Sequence, residues 1–150
     1  GELLADLGAD DTVLEVGPGR GDLTRLLSAQ AGRVIAVELD ARLRPYLESR
    51  LTDFRNVELH FQDALTFPYE TLPLGTVVVA NLPYYIASPL LFRLFEARQR
   101  LARMILMLQS EVAVRLAASP GSRDYGILSV LASYCAEVSV AFQVSLLNFS

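Results

Sequence analysis

Asn81-Leu82-Pro83-Tyr84-Tyr85 places a side-chain amide, a backbone carbonyl, a rigid proline ring and two aromatic rings in five consecutive residues. Those groups suit an aromatic base with an exocyclic amine. The lone pair of such an amine is delocalised into the ring, so its nitrogen is a poor nucleophile. The Asn81 side-chain oxygen and the Leu82 carbonyl can accept its two hydrogens and favour a pyramidal nitrogen. Pro83 fixes the direction of that carbonyl, and Tyr84 can stack on the base. No strong general base is required, because the nitrogen's proton becomes acidic once the nitrogen is alkylated. Asn and Pro are also common where a strand turns into a helix, so the upstream residues must decide between the two readings.

Upstream lies Glu15-Val16-Gly17-Pro18-Gly19-Arg20-Gly21, a glycine loop with an acid two residues before its first glycine. Glycines allow a tight turn and let a ligand approach the backbone. The spacing is G-x-G-x-G, not the G-x-G-x-x-G of dinucleotide-binding loops. Glu38 follows Gly17 by twenty-one residues and can accept hydrogen bonds from both hydroxyls of a ribose. Asp63 can accept from an adenine amino group. Each acid alone reads as an ordinary strand-end residue or helix cap. Three successive strand ends carrying fitting groups point to an adenosine held without a tight phosphate cradle, and S-adenosyl-L-methionine is such a ligand.

These groups need elements to hold them. Leu3, Leu4 and Leu7 have helical spacing, and strands are expected at 12–16, 33–38, 56–62, 76–80, 103–108 and near 138–144. Asp22 is expected to cap a helix through about Gln30, with Leu23, Leu26 and Leu27 inward and Gly32 closing it. Asp40 opens a helix to about Leu51 with Pro45 in its first turns. Ser88-Pro89 reads as an N-cap followed by a first-turn proline, with Leu90, Leu91, Leu94 and Phe95 inward. Further helices are expected at 110–118 and 127–134. Strands alternating with helices, several of them continuously apolar, predict an α/β fold: a doubly wound, mostly parallel, Rossmann-like sheet. Ligands bind such sheets beyond the carboxyl ends of the strands, where Gly17, Glu38, Asp63 and Asn81 are expected.

At 150 residues the chain is one domain's worth, and its 52% hydrophobic content excludes a disordered chain. The single Cys135 permits no internal disulfide and reads as a buried apolar residue. His60, without Cys or His neighbours, is a poor metal ligand, and no metal is expected. Residues 125–150 carry one charge, Glu137, but split into a helical and an alternating pattern, so no membrane span is expected. The net charge of −4 argues against a large nucleic-acid surface on these residues alone. It is uneven: residues 1–90 hold 7 Arg against 13 acids, and residues 91–150 hold 6 Arg against 4. The second part could face phosphates as well as form an ordinary solvated face. Every basic residue is arginine.

The glycine loop and acids resemble the class I S-adenosylmethionine-dependent methyltransferases. Asn81-Leu82-Pro83-Tyr84 resembles their motif for exocyclic amines. Three longer stretches narrow the likeness: Asn81 to Leu90, Gln109-Ser110-Glu111-Val112-Ala113-Val114-Arg115-Leu116, and Pro120 to Val130. Together they are similar to the small-subunit ribosomal RNA adenine dimethyltransferases, the kasugamycin-sensitivity family, over essentially the whole chain. The Erm resistance methyltransferases share the first stretch and match the other two less well.

The resemblance implies N6,N6-dimethylation of two adjacent adenosines near the 3′ end of small-subunit rRNA during ribosome biogenesis. Its cofactor positions fall on Gly17, Glu38, Asp63 and Asn81, with Glu15, Gly19 and Ala64 as pocket neighbours. Asn81, Leu82, Pro83 and Tyr84 match its catalytic motif. Phe149 matches the aromatic that sandwiches a flipped adenine against Tyr84. The implied partner is small-subunit rRNA or an immature small subunit, met by a monomer in the cytoplasm, or in the mitochondrion for an organellar relative. The family's N-terminal Gln-Asn-Phe-Leu motif, Pro-rich segment and C-terminal helical domain are not in the sequence, so 1–150 is expected to be the cofactor-binding domain of a longer protein. Two other readings share the fold: a non-catalytic assembly or transcription factor, and an adenine methyltransferase with another nucleic-acid substrate.

Overall fold

The computed structural model describes residues 6–81, 84–107, 138–141 and 144–148. Its elements run β1 (Thr12–Val16), α1 (Asp22–Gln30), β2 (Arg33–Glu38), α2 (Arg44–Arg50), β3 (Val57–Phe61), β4 (Thr76–Asn81), α3 (Tyr84–Glu96), β5 (Leu101–Met107), β6 (Val138–Ala141) and β7 (Val144–Asn148). The strands form one sheet in the order β3-β2-β1-β4-β5-β7-β6. The first five run parallel. β7 is antiparallel to β5, and β6 is antiparallel to β7. The sheet is therefore mostly parallel, and its winding reverses between β1 and β4.

Both faces of the central strands are buried, which is why β1, β2 and β4 are largely apolar without alternation, with Glu15 as a buried exception in β1. On one face Val13, Val34, Val77 and Val79 pack with Leu27 and Ala31 of α1 and its C-cap. On the other, Leu14, Ile35, Val37 and Val78 pack with Leu90, Leu91 and Leu94 of α3 and with Phe67 and Tyr69. α2 lies beside α1, where Arg50 reaches Asp22 and Arg25 sits over the Phe54 ring. Among the described residues no helix is long and apolar enough to cross a membrane.

Several local expectations are corrected. The N-cap of α1 is Gly21, in the left-handed region at φ 85°, and Asp22 is the first helical residue. The buried stripe of α1 is Thr24 and Leu27, whereas Leu26 is 60% exposed. Thr24 turns inward because its hydroxyl meets Glu15. At 100° per residue, that orientation carries Leu26 to the outside. Gly32 does not supply a left-handed cap. A Cβ there would stand 2.0 Å from the Ala9 carbonyl oxygen, so the position needs glycine for close approach. Asp40 caps a 3-10 turn, Ala41–Leu43, through its Oδ1, which accepts from the Arg42 amide at 3.0 Å; α2 follows with Pro45 at its start.

α3 begins at Tyr84, not at Ser88, and Pro89 lies inside it. The first four amides of any helix lack intrahelical partners, so Pro89 removes only an early bond. A helical proline costs about 3 kcal/mol. Ile86, Leu90, Leu91 and Leu94 share one core cluster, and each buried leucine contributes roughly 1.5–3 kcal/mol. The strand expected near 138–144 is instead a hairpin, with Ala141 paired to Val144. Two-residue hairpins favour Asn-Gly or Asp-Gly; Phe142-Gln143 carries no such signal. The helices expected at 110–118 and 127–134, and Cys135, lie outside the described residues.

Candidate functional site

The strand register brings the predicted residues to one edge. Val16 pairs with Val37 of β2 and with Ala80 of β4, so Asn81 continues on the register of Gly17. Glu38 pairs with Phe61, and the Gln62 amide donates to the Glu38 carbonyl at 3.0 Å, one residue before Asp63. Gly17, Glu38, Asp63 and Asn81 thus end four adjacent strands at the carboxyl edge, around the reversal of winding.

The glycine loop is held from two sides. The Gly17 amide donates to the Val37 carbonyl at 2.9 Å, and the Gly21 amide to the Pro18 carbonyl at 2.9 Å. Gly17, Gly19 and Gly21 all have positive φ, at 78°, 56° and 85°, where a side chain would be strained. The two later glycines differ in their surroundings. A Cβ on Gly21 would make only ordinary contacts with Leu47 and Leu51, so it is the positive φ, not lack of space, that favours glycine there. A Cβ on Gly19 would meet nothing within 4 Å, so the space above the loop is open.

Glu38 faces this loop. Its Oε1 accepts from the Gly19 amide at 3.2 Å and its Oε2 from the Asp40 amide at 3.0 Å. A carboxylate offers about four acceptor sites, so each oxygen keeps capacity for one hydroxyl of a diol. In Asp63, Oδ1 accepts from the Leu65 amide at 2.9 Å, which orients the carboxylate and leaves Oδ2 without a described donor. Ala64 is buried, and its carbonyl accepts from the Tyr69 hydroxyl at 2.6 Å. An open glycine loop, an oriented diol acceptor and a second oriented carboxylate fit an adenosine ligand.

Glu15 sits beneath the loop at 2% exposure, its Oε1 accepting from the Thr24 hydroxyl. Burial pushes its carboxyl up to about 7; the Thr24 bond opposes this, and the nearby Glu38 charge adds to it. Glu15 therefore ties β1 to α1 through a single buried bond on either side of the glycines.

Asn81 is the last residue of β4 and Tyr84 the first of α3. Leu82, Pro83, Phe149 and the stretches at Gln109 and Pro120 lie outside the described residues. β7 ends with Asn148 opposite Arg103, whereas Asn81 pairs with Met107 at the other end of β5. His60 is half-buried, edge-on to Phe67 with ring centres 5.6 Å apart. Among the described residues no group of three or more His, Cys, Asp or Glu forms a metal site. Sequence reasoning missed Thr24 and Tyr69. For Thr24 there was a signal: a polar residue three before Leu27, on the same helical face. Tyr69 lies in a Pro-flanked loop without periodicity, and nothing local marked it.

A family model described as ribosomal RNA adenine dimethylase matches residues 4–150. The chain is 44% identical over 151 residues to the ribosomal RNA small subunit methyltransferase A of Moorella thermoacetica, covering 93% of the chain and 52% of that protein. Among solved structures, it is similar to a dimethyladenosine transferase from Plasmodium falciparum, with a TM-score of 0.85 and 29% identity over 99% of this chain and 59% of that one. It is similar in shape to the 23S rRNA methyltransferase ErmE, with a TM-score of 0.84 and 27% identity over 99% and 65% of the two chains. Shape alone does not separate the last two. The chain spans about half the length of the curated relatives it matches.

Proposed function

The chain belongs to the ribosomal RNA adenine dimethylase family, and from that premise we propose that the protein carrying it dimethylates N6 of two adjacent adenosines near the 3′ end of small-subunit rRNA. S-adenosyl-L-methionine, when bound, supplies an electrophilic methyl on a sulfonium. Glu38 would accept from both ribose hydroxyls and Asp63 from the adenine amine, and the open backbone at Gly17 and Gly19 would take the methionyl part. Glu15 supports the loop from below.

Asn81 and the Leu82 carbonyl accept the hydrogens of the target amine, and Tyr84 stacks on its base. Transfer would form the nitrogen–carbon bond as the donor's carbon–sulfur bond breaks, with a neutral thioether as the leaving group, so positioning of the amine by Asn81 and Leu82 would contribute most of the rate. The amine's proton leaves to solvent after transfer. Immature small subunits or their rRNA are the partner, met by a monomer in the cytoplasm.

The observation that carries this reading is the alignment of Gly17, Glu38, Asp63 and Asn81 on four adjacent strand ends. The test gives full-length protein labelled S-adenosyl-L-methionine with small subunits, naked rRNA and DNA in parallel, then digests the products to nucleosides. Dimethyladenosine in small-subunit rRNA is expected. Label in DNA alone, or in none of the three, overturns the proposal.

A further inference from the structure

Tyr69 is fully buried in the loop between β3 and β4, and its hydroxyl donates to the Ala64 carbonyl at 2.6 Å. Ala64 follows Asp63, whose backbone carbonyl accepts from the Thr66 amide at 3.1 Å. The Asp63–Thr66 turn is thus braced from within the core. Arg93 of α3 closes the other side. Its two terminal nitrogens each donate to a carboxylate oxygen of Glu70 at 2.6 Å, one also reaches the Phe67 carbonyl at 3.2 Å, and its guanidinium lies 5.1 Å from the Tyr69 ring centre. The forked geometry is the stronger kind of ion pair. The Arg93 hydrogen bonds, helped by its charge, hold the Glu70 carboxyl down to about 2, so the clamp stays charged across the physiological range.

This loop and α3 share one apolar cluster, in which Ala64, Phe67 and Tyr69 pack with Leu90 and Leu94. α3 begins at Tyr84, in the motif assigned to the target base. The loop begins at Asp63, assigned to the cofactor's adenine.

We propose that Tyr69 is a positioning residue for the methyl donor: its hydroxyl fixes the Ala64 carbonyl and so the pose of Asp63, and the Arg93–Glu70 clamp joins that turn to the helix that presents the target base. The proposal rests on the functional reading above. It assigns adenine discrimination to a buried residue that touches neither ligand.

The test measures binding of S-adenosylhomocysteine and of its hypoxanthine counterpart, S-inosylhomocysteine, to the full-length protein by calorimetry. Tyr69→Phe keeps the ring and removes the bond. It is expected to weaken S-adenosylhomocysteine binding about fivefold, the net value of one hydrogen bond, and to narrow the preference for adenine over hypoxanthine, with kcat at saturating donor little changed. Glu70→Gln loosens the clamp from the exposed surface without touching the core and is expected to shift the preference in the same direction, by less. A merely structural role would lower the melting temperature and leave the preference intact. Glu38→Ala serves as the control. If it weakens binding while Tyr69→Phe and Glu70→Gln keep the wild-type preference, the positioning role is overturned and the functional reading stands. If wild-type protein binds neither compound, both are overturned.

Discussion

The Gly19 amide donates to Glu38 Oε1 across 3.2 Å, so the glycine loop after β1 and the acid that ends β2 are a single unit. Glu38 therefore braces the loop, in addition to the ligand-accepting role proposed for it. Glu38→Ala removes both functions. We expect S-adenosyl-L-methionine affinity in the full-length protein to fall at least tenfold, since hydrogen bonds to a charged group are worth roughly 1.5–3 kcal/mol. Calorimetry reads this directly, and unchanged affinity would break the ribose assignment.

Asn81→Ala separates chemistry from cofactor binding. Loss of the side-chain acceptor is expected to lower methyl transfer to small-subunit rRNA by about a hundredfold or more, the scale of one oriented group acting at the reacting centre. Cofactor affinity should fall far less, because Glu38 and Asp63 remain. Wild-type turnover by this variant would remove Asn81 from the mechanism.

Glu15 gives stability a pH dependence. Its folded value, about 7, lies above its ordinary value of 4.5, so the folded state holds the proton more tightly than the unfolded chain. That contribution is complete below about 4.5 and is lost as pH rises through 7. The scale is on the order of 3 kcal/mol at most. Glu15→Gln keeps the shape and an acceptor for Thr24 without the charge. Denaturant titrations should find the variant gaining on the wild type between pH 5 and pH 8. A difference that does not change with pH would mean that Glu15 is not the titrating group.

Gly32→Ala tests a purely structural glycine. Its Cβ would collide with the Ala9 carbonyl, and backbone cannot yield as a flexible side chain does. A loss of about 1–3 kcal/mol is expected, seen as a lower denaturation midpoint, with cofactor affinity per folded molecule unchanged. A variant as stable as the wild type would show that the α1–β2 connection can shift.

Much of this architecture was legible because buried parallel strands announce themselves. Thr12 to Val16, Arg33 to Glu38 and Thr76 to Ala80 are largely apolar runs ended by glycine or a polar residue, and the candidate site residues sit where those runs stop. Boundaries set by tertiary contact were not legible. Leu26 looks like a core residue until Glu15 turns Thr24 inward. Ser88-Pro89 is a sound helix start by local rules, and only the cluster joining Ile86 to Leu90 extends α3 back to Tyr84. The break between Ala141 and Val144 has no glycine or asparagine to mark it. Tyr69 acts through one hydroxyl in an aperiodic loop, which no periodicity can reveal.

The order of the strands also sets an order in time. Thr12 pairs with Arg33, 21 residues along the chain, whereas Val13 pairs with Val77, 64 residues along. Closing the longer loop costs about 1 kcal/mol more, and its second strand leaves the ribosome later. Pairing of β1 with β2 is therefore expected to come first during synthesis, bringing Glu15 and Glu38 into one half-sheet before β4 has emerged. Asn81 then docks onto an edge that already exists. A newly made chain should acquire the half proposed to hold the cofactor's nucleoside ahead of the half proposed to present the target amine.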